Sequence, residues 1–454
     1  AIELLFMPKE RRIIVAKSTI SLNPSLQKLH MPENLTIGMM VAEQHEKCGK
    51  VSCDFDYYGF AFGQSPFPVP PLLSRKLGEN VDAGGYVPPG GIPELRKAVA
   101  DFYHRRFGME ASPEQVIIGP GTKTLIYMIF NLLQGDVIIP FPAWIGYAPQ
   151  ADLLGKTRHV LPLSPANGYR LMPEELDDFL AALPGQQHLL ILNNPHNPTG
   201  ALYSAEELQA LAGVCRKYDT LVLADEIYAL TTYSIEEFIS MGSIYPEGTF
   251  VTGGLSKDRS SGGYRLGVCV LPARDGSALA EAFEKMAATL YTSVTTPIQR
   301  AAVSVYRQTE ELETYFKVTR EIHRIMGRII SEGCNEIDGL KATAPQGGFY
   351  FYVDFQEFAA AFREKGLHTS NQLGSAMLSH PHHIATVTGD AVMLPPDTFG
   401  ARIAFVDYDG AEAYDAYLAN PPRRAEEETN FVRKAAPRML EGVQALENFL
   451  RKYR

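Results

Sequence analysis

From Gly91 to about residue 305 the chain alternates two hydrophobic patterns. Stretches such as GIPELRKAVADFYHRRF repeat apolar positions at helical spacing, and short continuous apolar runs follow them. The runs QVIIG, GDVIIPF, QHLLILNN, DTLVLAD, GTFVTGG and YRLGVCVL mostly lack the alternation of a half-solvated strand, so they read as strands buried on both faces. Between them, TLIYMIFNLL and SAEELQALAGVCRKY read as helices, the second opening on a capping box from Ser204 to Glu207. This alternation predicts an α/β architecture, a mainly parallel sheet covered by helices on both faces. In such a sheet, functional residues gather at the carboxyl ends of the strands.

The flanks read differently. Residues 1 to about 70 have weak periodicity and end in the proline-rich GQSPFPVPP, which favours extended structure and reads as an arm or connector. After a long helical stretch beginning at PIQRAAV come GGFYFYVDF and ARIAFVDYD, short aromatic strands, and then a charged terminal helix. The expected division is an N-terminal arm with part of a small domain over 1–75, a large domain over 76–305, and a C-terminal small α+β domain over 306–454.

Composition narrows the function classes. A chain of 454 residues is too long for one simple core. The net charge of -10 and the dispersal of 42 Lys and Arg argue against nucleic acid as a partner. No apolar run approaches the ~20 residues of a membrane span, and AIELLFMPKERR is charged too early for a signal segment. A cytoplasmic protein with no membrane partner is therefore expected. The cysteines Cys48, Cys53, Cys215, Cys269 and Cys334 are odd in number and lack C-x-x-C spacing, so they read as reduced and structural. HPHH at His380 to His383 has no companion metal motif and reads as a polar loop; no metal is expected.

Four strand ends carry candidate chemistry. IIGPGTKTLIY joins a strand through a Gly-rich turn to a helix, which aims free N–H groups and the positive dipole end at an anion. A nucleotide P-loop needs Gly directly before its Lys, whereas Thr122 precedes Lys123. A tight helix entry explains the turn equally well. LLILNNPHNPTGALYS crowds Asn, Pro and Gly at a strand end, with prolines on both sides of Asn197. LVLADEIY ends an apolar run on Asp225, a partly desolvated carboxylate in need of a cationic or N–H partner, with Tyr228 three residues on. A cap or a metal ligand would suit Asp225 too. Finally, TGGLSKDRSSGGYRLG sets Lys257 beside small residues at the same edge. A confined lysine forms a Schiff base with a carbonyl; a lysine in an ordinary loop is only solvated.

Together YVPPGGIPELRKAVADFY, GPGTKTL, NNPHNPTG, DEIY, SKDRSSGGYRLG and ARIAF resemble, in order and separation, the fold-type I pyridoxal-phosphate enzymes of the aspartate aminotransferase superfamily, over most of residues 60 to 410. The resemblance implies a seven-stranded, mainly parallel sheet in the large domain, pyridoxal 5'-phosphate as cofactor, and transamination between an amino acid and a 2-oxo acid with ping-pong kinetics. It implies Lys257 as the lysine bonded to the cofactor and as general base, Asp225 on the pyridine nitrogen, and Asn197 and Tyr228 on the phenolic oxygen. Arg265, Gly121 and Thr122 would hold the phosphate, Trp144 would stack on the ring, and Tyr86 would reach the phosphate of a neighbouring subunit, implying a homodimer. Arg402 would hold the substrate α-carboxylate, with Asn197 and Gly63 also on the substrate side.

The sequence also departs from the family pattern. Three residues before Lys257, where a hydroxyl residue is frequent, stands Gly254. The position matching a carboxylate-binding lysine of some aspartate-preferring members is Thr122. The segment after Arg402, with NPPRRAEEETNFVRK, is longer than a minimal member needs. Two other readings stand beside transamination: a lyase on the same scaffold, such as an aminocyclopropane-carboxylate synthase or a C–S lyase, and a non-catalytic ligand sensor. Sensors of that kind carry a basic DNA-binding segment upstream, and residues 1 to 60 contain no basic recognition helix.

Overall fold

The computed structural model describes residues 56–183 and 187–454, with a few positions between 21 and 43. Most of the N-terminal arm, Cys48 and Cys53 lie outside the described residues. After a two-residue strand, β1 (Tyr58–Gly59), seven strands build one sheet: β2 (Val116–Gly119), β3 (Val137–Phe141), β4 (Arg158–Pro162), β5 (Leu189–Asn193), β6 (Leu221–Asp225), β7 (Thr249–Gly254) and β8 (Gly267–Val270). Their order is β2-β8-β7-β6-β5-β3-β4. β3 to β7 pair in parallel, and β8 runs antiparallel to both its neighbours.

The continuous apolar runs are the interior strands. Every residue of β5 and β6 is buried, because helices cover both faces of the sheet. β4 was not among the runs picked out by hydrophobicity. It is an edge strand with Arg158, Val160 and Pro162 exposed, so it needs no apolar run to be stable. The helix Ala205–Lys217 opens as expected, with the Ser204 hydroxyl accepting from the Glu207 amide.

A smaller α+β unit follows. Four strands, β9 (Lys341–Ala342), β10 (Tyr350–Asp354), β12 (Val387–Thr388) and β13 (Gly400–Ala404), form an antiparallel sheet in the order β12-β13-β10-β9. β11 (Ile384–Ala385) pairs with β1, which draws the N-terminal segment into this unit. The helix Glu310–Asn335 packs beneath it with one buried face running from Leu312 to Cys334. The expected single terminal helix is instead three, Gly410–Ala419, Ala425–Ala435 and Pro437–Leu450. Pro421, Pro422 and Pro437 divide them, since proline ends a helix that reaches it.

Among the described residues, Cys215, Cys269 and Cys334 are free and buried, and no helix is long and apolar enough to cross a membrane. In the HPHH loop the His380 and His383 rings meet edge-on, and His382 Nε2 lies 2.8 Å from Lys452 Nζ.

Candidate active site

The parallel strands bring their carboxyl ends to one edge, and the antiparallel β8 starts from that same edge. β2 thus leads to Gly121 and Thr122, β3 to Trp144, β5 to Asn197, β6 to Asp225 and Tyr228, and β7 to Lys257, while Arg265 precedes β8. A cavity of about 390 Å³ lies there, lined by Lys257, Asp225, Tyr228, Asn197, Trp144, Thr122, Arg265, Arg402 and Gly63. Gly121 lies against Arg265 at its wall. Tyr86 is 89% exposed and does not line its own chain's cavity.

The wall formed by β2, β8 and the helix Thr122–Leu132 is built for close backbone approach. Gly121, the residue capping that helix, has φ 88°, and a Cβ there would run into the Arg265 guanidinium. A side chain at Gly267 would likewise strike the Gly121 and Thr122 backbone. Arg265 donates to the Gly262 carbonyl at 2.8 Å. A guanidinium thus lies next to the free amides of a helix N-terminus, which is an anion-binding arrangement. Gly254 has an equally concrete cause. It pairs with Gly267 across β7 and β8, and a Cβ at Gly254 would lie 2.7 Å from the Leu266 carbonyl oxygen. Ser256, two residues on, lines the cavity.

The opposite side of the cavity holds buried polar groups. Tyr147 donates to Asp225 Oδ2 at 2.7 Å and Thr252 to Oδ1 at 3.3 Å. Burial raises the Asp225 pKa above the ordinary carboxylate range, against the pull of these bonds, the Ile227 amide and the Lys257 charge. Asn193 connects the strand ends: its amide donates to the Asp225 carbonyl at 2.8 Å and its oxygen accepts from the Asn197 amide at 2.7 Å. Lys257 Nζ donates to the Gly63 carbonyl at 2.5 Å and lies 5.7 Å from the centre of the Tyr228 ring. Tyr228 donates to the Tyr350 hydroxyl at 3.2 Å, and burial holds the Tyr228 phenol well above its usual pKa.

Arg402 arrives from β13 and is only 5% exposed. It donates to the Ala61 carbonyl at 2.8 Å and to Asn197 Oδ1 at 3.5 Å, and it lies over the Tyr350 ring. Among the described residues its Nε has no hydrogen-bond partner and no carboxylate pairs with it. The alternative of an exposed surface ion pair is thereby removed. A buried cation at a cavity wall, hydrogen-bonded only to neutral groups, is suited to an anionic ligand.

The cavity residues that escaped the sequence reading include Tyr147, Tyr350, Asn193 and Lys123. Tyr147 opens the helix Tyr147–Leu153, while Trp144 lies in the loop before it, and the two rings meet edge-on at 5.0 Å. Lys123 lies 5.3 Å from the centre of the Trp144 ring; burial, then Arg265 and Lys257, lowers its pKa. Tyr350 lies in an aromatic strand where alternation marks the faces but not which residue borders a cavity.

The chain matches the model for aminotransferase class I and II over residues 56–407. It is 30% identical to the aspartate aminotransferase of Geobacillus stearothermophilus over 75% of this chain and 85% of that protein. To the aspartate/prephenate aminotransferase of Thermus thermophilus it is 32% identical, over 67% and 78%. Among solved structures, the Thermus thermophilus aspartate aminotransferase with maleate superposes with a TM-score of 0.77 at 23% identity, covering 95% of this chain and all of that one. The aromatic aminotransferase of Pyrococcus horikoshii gives 0.72 at 25% identity, covering 89% and 98%.

Proposed function

The chain belongs to the class I and II aminotransferase family, and on that premise we propose that it moves an amino group between an L-amino acid and a 2-oxo acid, using pyridoxal 5'-phosphate held by Lys257. The residues present fit that cofactor. A phosphate suits the Arg265 guanidinium and the amides after Gly121, where a Cβ would intrude. A protonated ring nitrogen suits the buried carboxylate of Asp225. When bound, the cofactor supplies a carbonyl for covalent attachment and a ring that withdraws electrons from the substrate.

The chain's own residues do the rest. Once the incoming substrate amine has displaced it, Lys257 Nζ would take the proton from the substrate α-carbon and hand it on, as general base and then general acid. Asp225, oriented by Tyr147 and Thr252, would keep the ring nitrogen protonated. Tyr228 and Asn197 would hold the phenolic oxygen, and Trp144 would stack on the ring. Arg402 grips the α-carboxylate, with Asn197 and the Gly63 backbone alongside; its buried, carboxylate-free guanidinium is the observation that carries the substrate side of this reading. A homodimer belongs to the same proposal: Tyr86, far exposed on its own chain, would serve the neighbouring subunit's phosphate. So does a cytoplasmic location, supported by the free thiols of Cys215, Cys269 and Cys334.

The names of the relatives make aspartate, prephenate and aromatic partners the first substrates to try. Purified protein mixed with each amino acid should lose its cofactor absorbance band, and a 2-oxo acid should restore it. Lys257→Ala should abolish the covalent band and lower turnover by about 10²–10⁴-fold. Full turnover in that variant would overturn the assignment. Consumption of the amino acid with no recovery by any oxo acid would point to elimination instead.

A further inference from the structure

On the opposite edge of the seven-stranded sheet, at the amino ends of β3, β4 and β5, three potential ligands converge. Asp136 directly precedes β3, His188 directly precedes β5, and His159 is the second residue of β4. The sheet register explains their meeting. His159 pairs with Ile138, two residues beyond Asp136, and Val137 pairs with Leu189, which sets Asp136 beside His188. Residues two apart on a strand share a face, so the three side chains emerge on one side of the sheet. Their ligand atoms lie within 4.8 Å of one another, and His159 Nε2 is 3.0 Å from Asp136 Oδ2.

His188 separates this cluster from an ordinary surface ion pair. The residue is 5% exposed, and among the described residues neither of its ring nitrogens has a hydrogen-bond partner. A buried imidazole with both nitrogens unpartnered is costly unless it has a further ligand. Its ring meets that of His159 edge-on at 5.7 Å. The backbone at this point is fixed: the Leu189 amide donates to the Asp136 carbonyl and the Leu221 amide to the His188 carbonyl, each at 2.9 Å.

We propose that Asp136, His159 and His188 form a site for a divalent metal of the zinc class, which ties the edge strand β4 to the interior strands β3 and β5. Two imidazoles and one carboxylate are a donor set such ions accept, with water completing a tetrahedron. Ligand atoms about 2.0–2.2 Å from one ion stand about 3.3 Å apart in a tetrahedron, so rotation of the partly exposed His159 and Asp136 side chains is enough to close the cluster.

The test is titration of the cofactor-loaded enzyme with Zn²⁺ against a chromophoric chelator, after dialysis with EDTA, with Co²⁺ difference spectra as a second readout. One equivalent should bind with Kd at or below the micromolar range. His188→Ala and His159→Asn should each weaken binding by at least about 10-fold, and zinc should raise the melting temperature of the wild type only. His159→Asn changes a half-buried residue and guards against a folding failure at His188. His380→Ala should leave binding unchanged. Absence of stoichiometric binding, or binding that survives both cluster variants, as for metal held by the cofactor or by the His380 loop, would overturn the proposal.

Discussion

Gly254 shows how a single position is set by its neighbour rather than by the chemistry around it. A hydroxyl residue there would add a hydrogen-bonding group, yet its Cβ would meet the Leu266 carbonyl at 2.7 Å and the Gly267 Cα at 3.0 Å. Both are backbone atoms of the paired strand β8 and do not swing aside. Gly254→Ser should therefore destabilise the protein by about 1–3 kcal/mol, as overpacking does, and should weaken cofactor binding because β8 begins just after Arg265. Urea unfolding and cofactor titration would measure both; a serine variant as stable as wild type and with tighter cofactor binding would refute the steric account. The residues legible in the sequence were those whose motifs are contiguous, such as Asp225, Lys257 and Arg265. Tyr350 and Tyr147 were not, because their place at the cavity depends on how separate elements dock.

At the scale of elements, hydrophobic runs located the interior strands because burial on both faces demands them, and they passed over β4 because an edge does not. The long helix Glu310–Asn335 was legible from its periodicity, but the periodicity conceals a polar residue in the stripe. His323 is 1% exposed and packed against Phe67, Phe349 and Phe405, and among the described residues its Nδ1 has no hydrogen-bond partner. Burial lowers its pKa to about 3. An unfolded histidine binds its proton near pH 6.5, so between that pH and about 3 the unfolded chain holds more protons than the folded one. Stability contributed by neutral His323 is complete above that window and is lost as pH falls through it, by at most about 5 kcal/mol. His323→Leu should flatten the stability profile between pH 7 and 4. Parallel unfolding profiles for the variant and wild type would rule His323 out as a source of acid sensitivity.

On the scale of the whole molecule, the family match ends at residue 407, and the three helices beyond it close the structure. The helix Pro437–Leu450 sets Gly442 against the ring of Phe60, and Arg438 donates to the Tyr57 carbonyl, so this extension holds the strand β1 from outside. Nothing in the charge pattern of RRAEEETNFVRK revealed which glutamate faces inward, since three of them follow one another. It is Glu428, 9% exposed, which accepts from Arg324 and Arg328 of the long helix at 2.6 Å each. One carboxylate thus neutralises two half-buried guanidinium groups and latches the extension to the helix that runs beneath the smaller sheet. Glu428→Ala would leave those cations facing each other, relieved only in part by Glu321 and Glu332. The expected loss is about 1–3 kcal/mol, the range for a hydrogen-bonded charge. Because Glu428 is remote from the cavity, turnover at low temperature should stay at the wild-type level while the melting temperature falls. Limited proteolysis should then cut first in the link 420–424, ahead of the core. A variant that melts with the wild type and resists cleavage there would mean that apolar packing at Phe60 and Leu446, and not the latch, retains the extension.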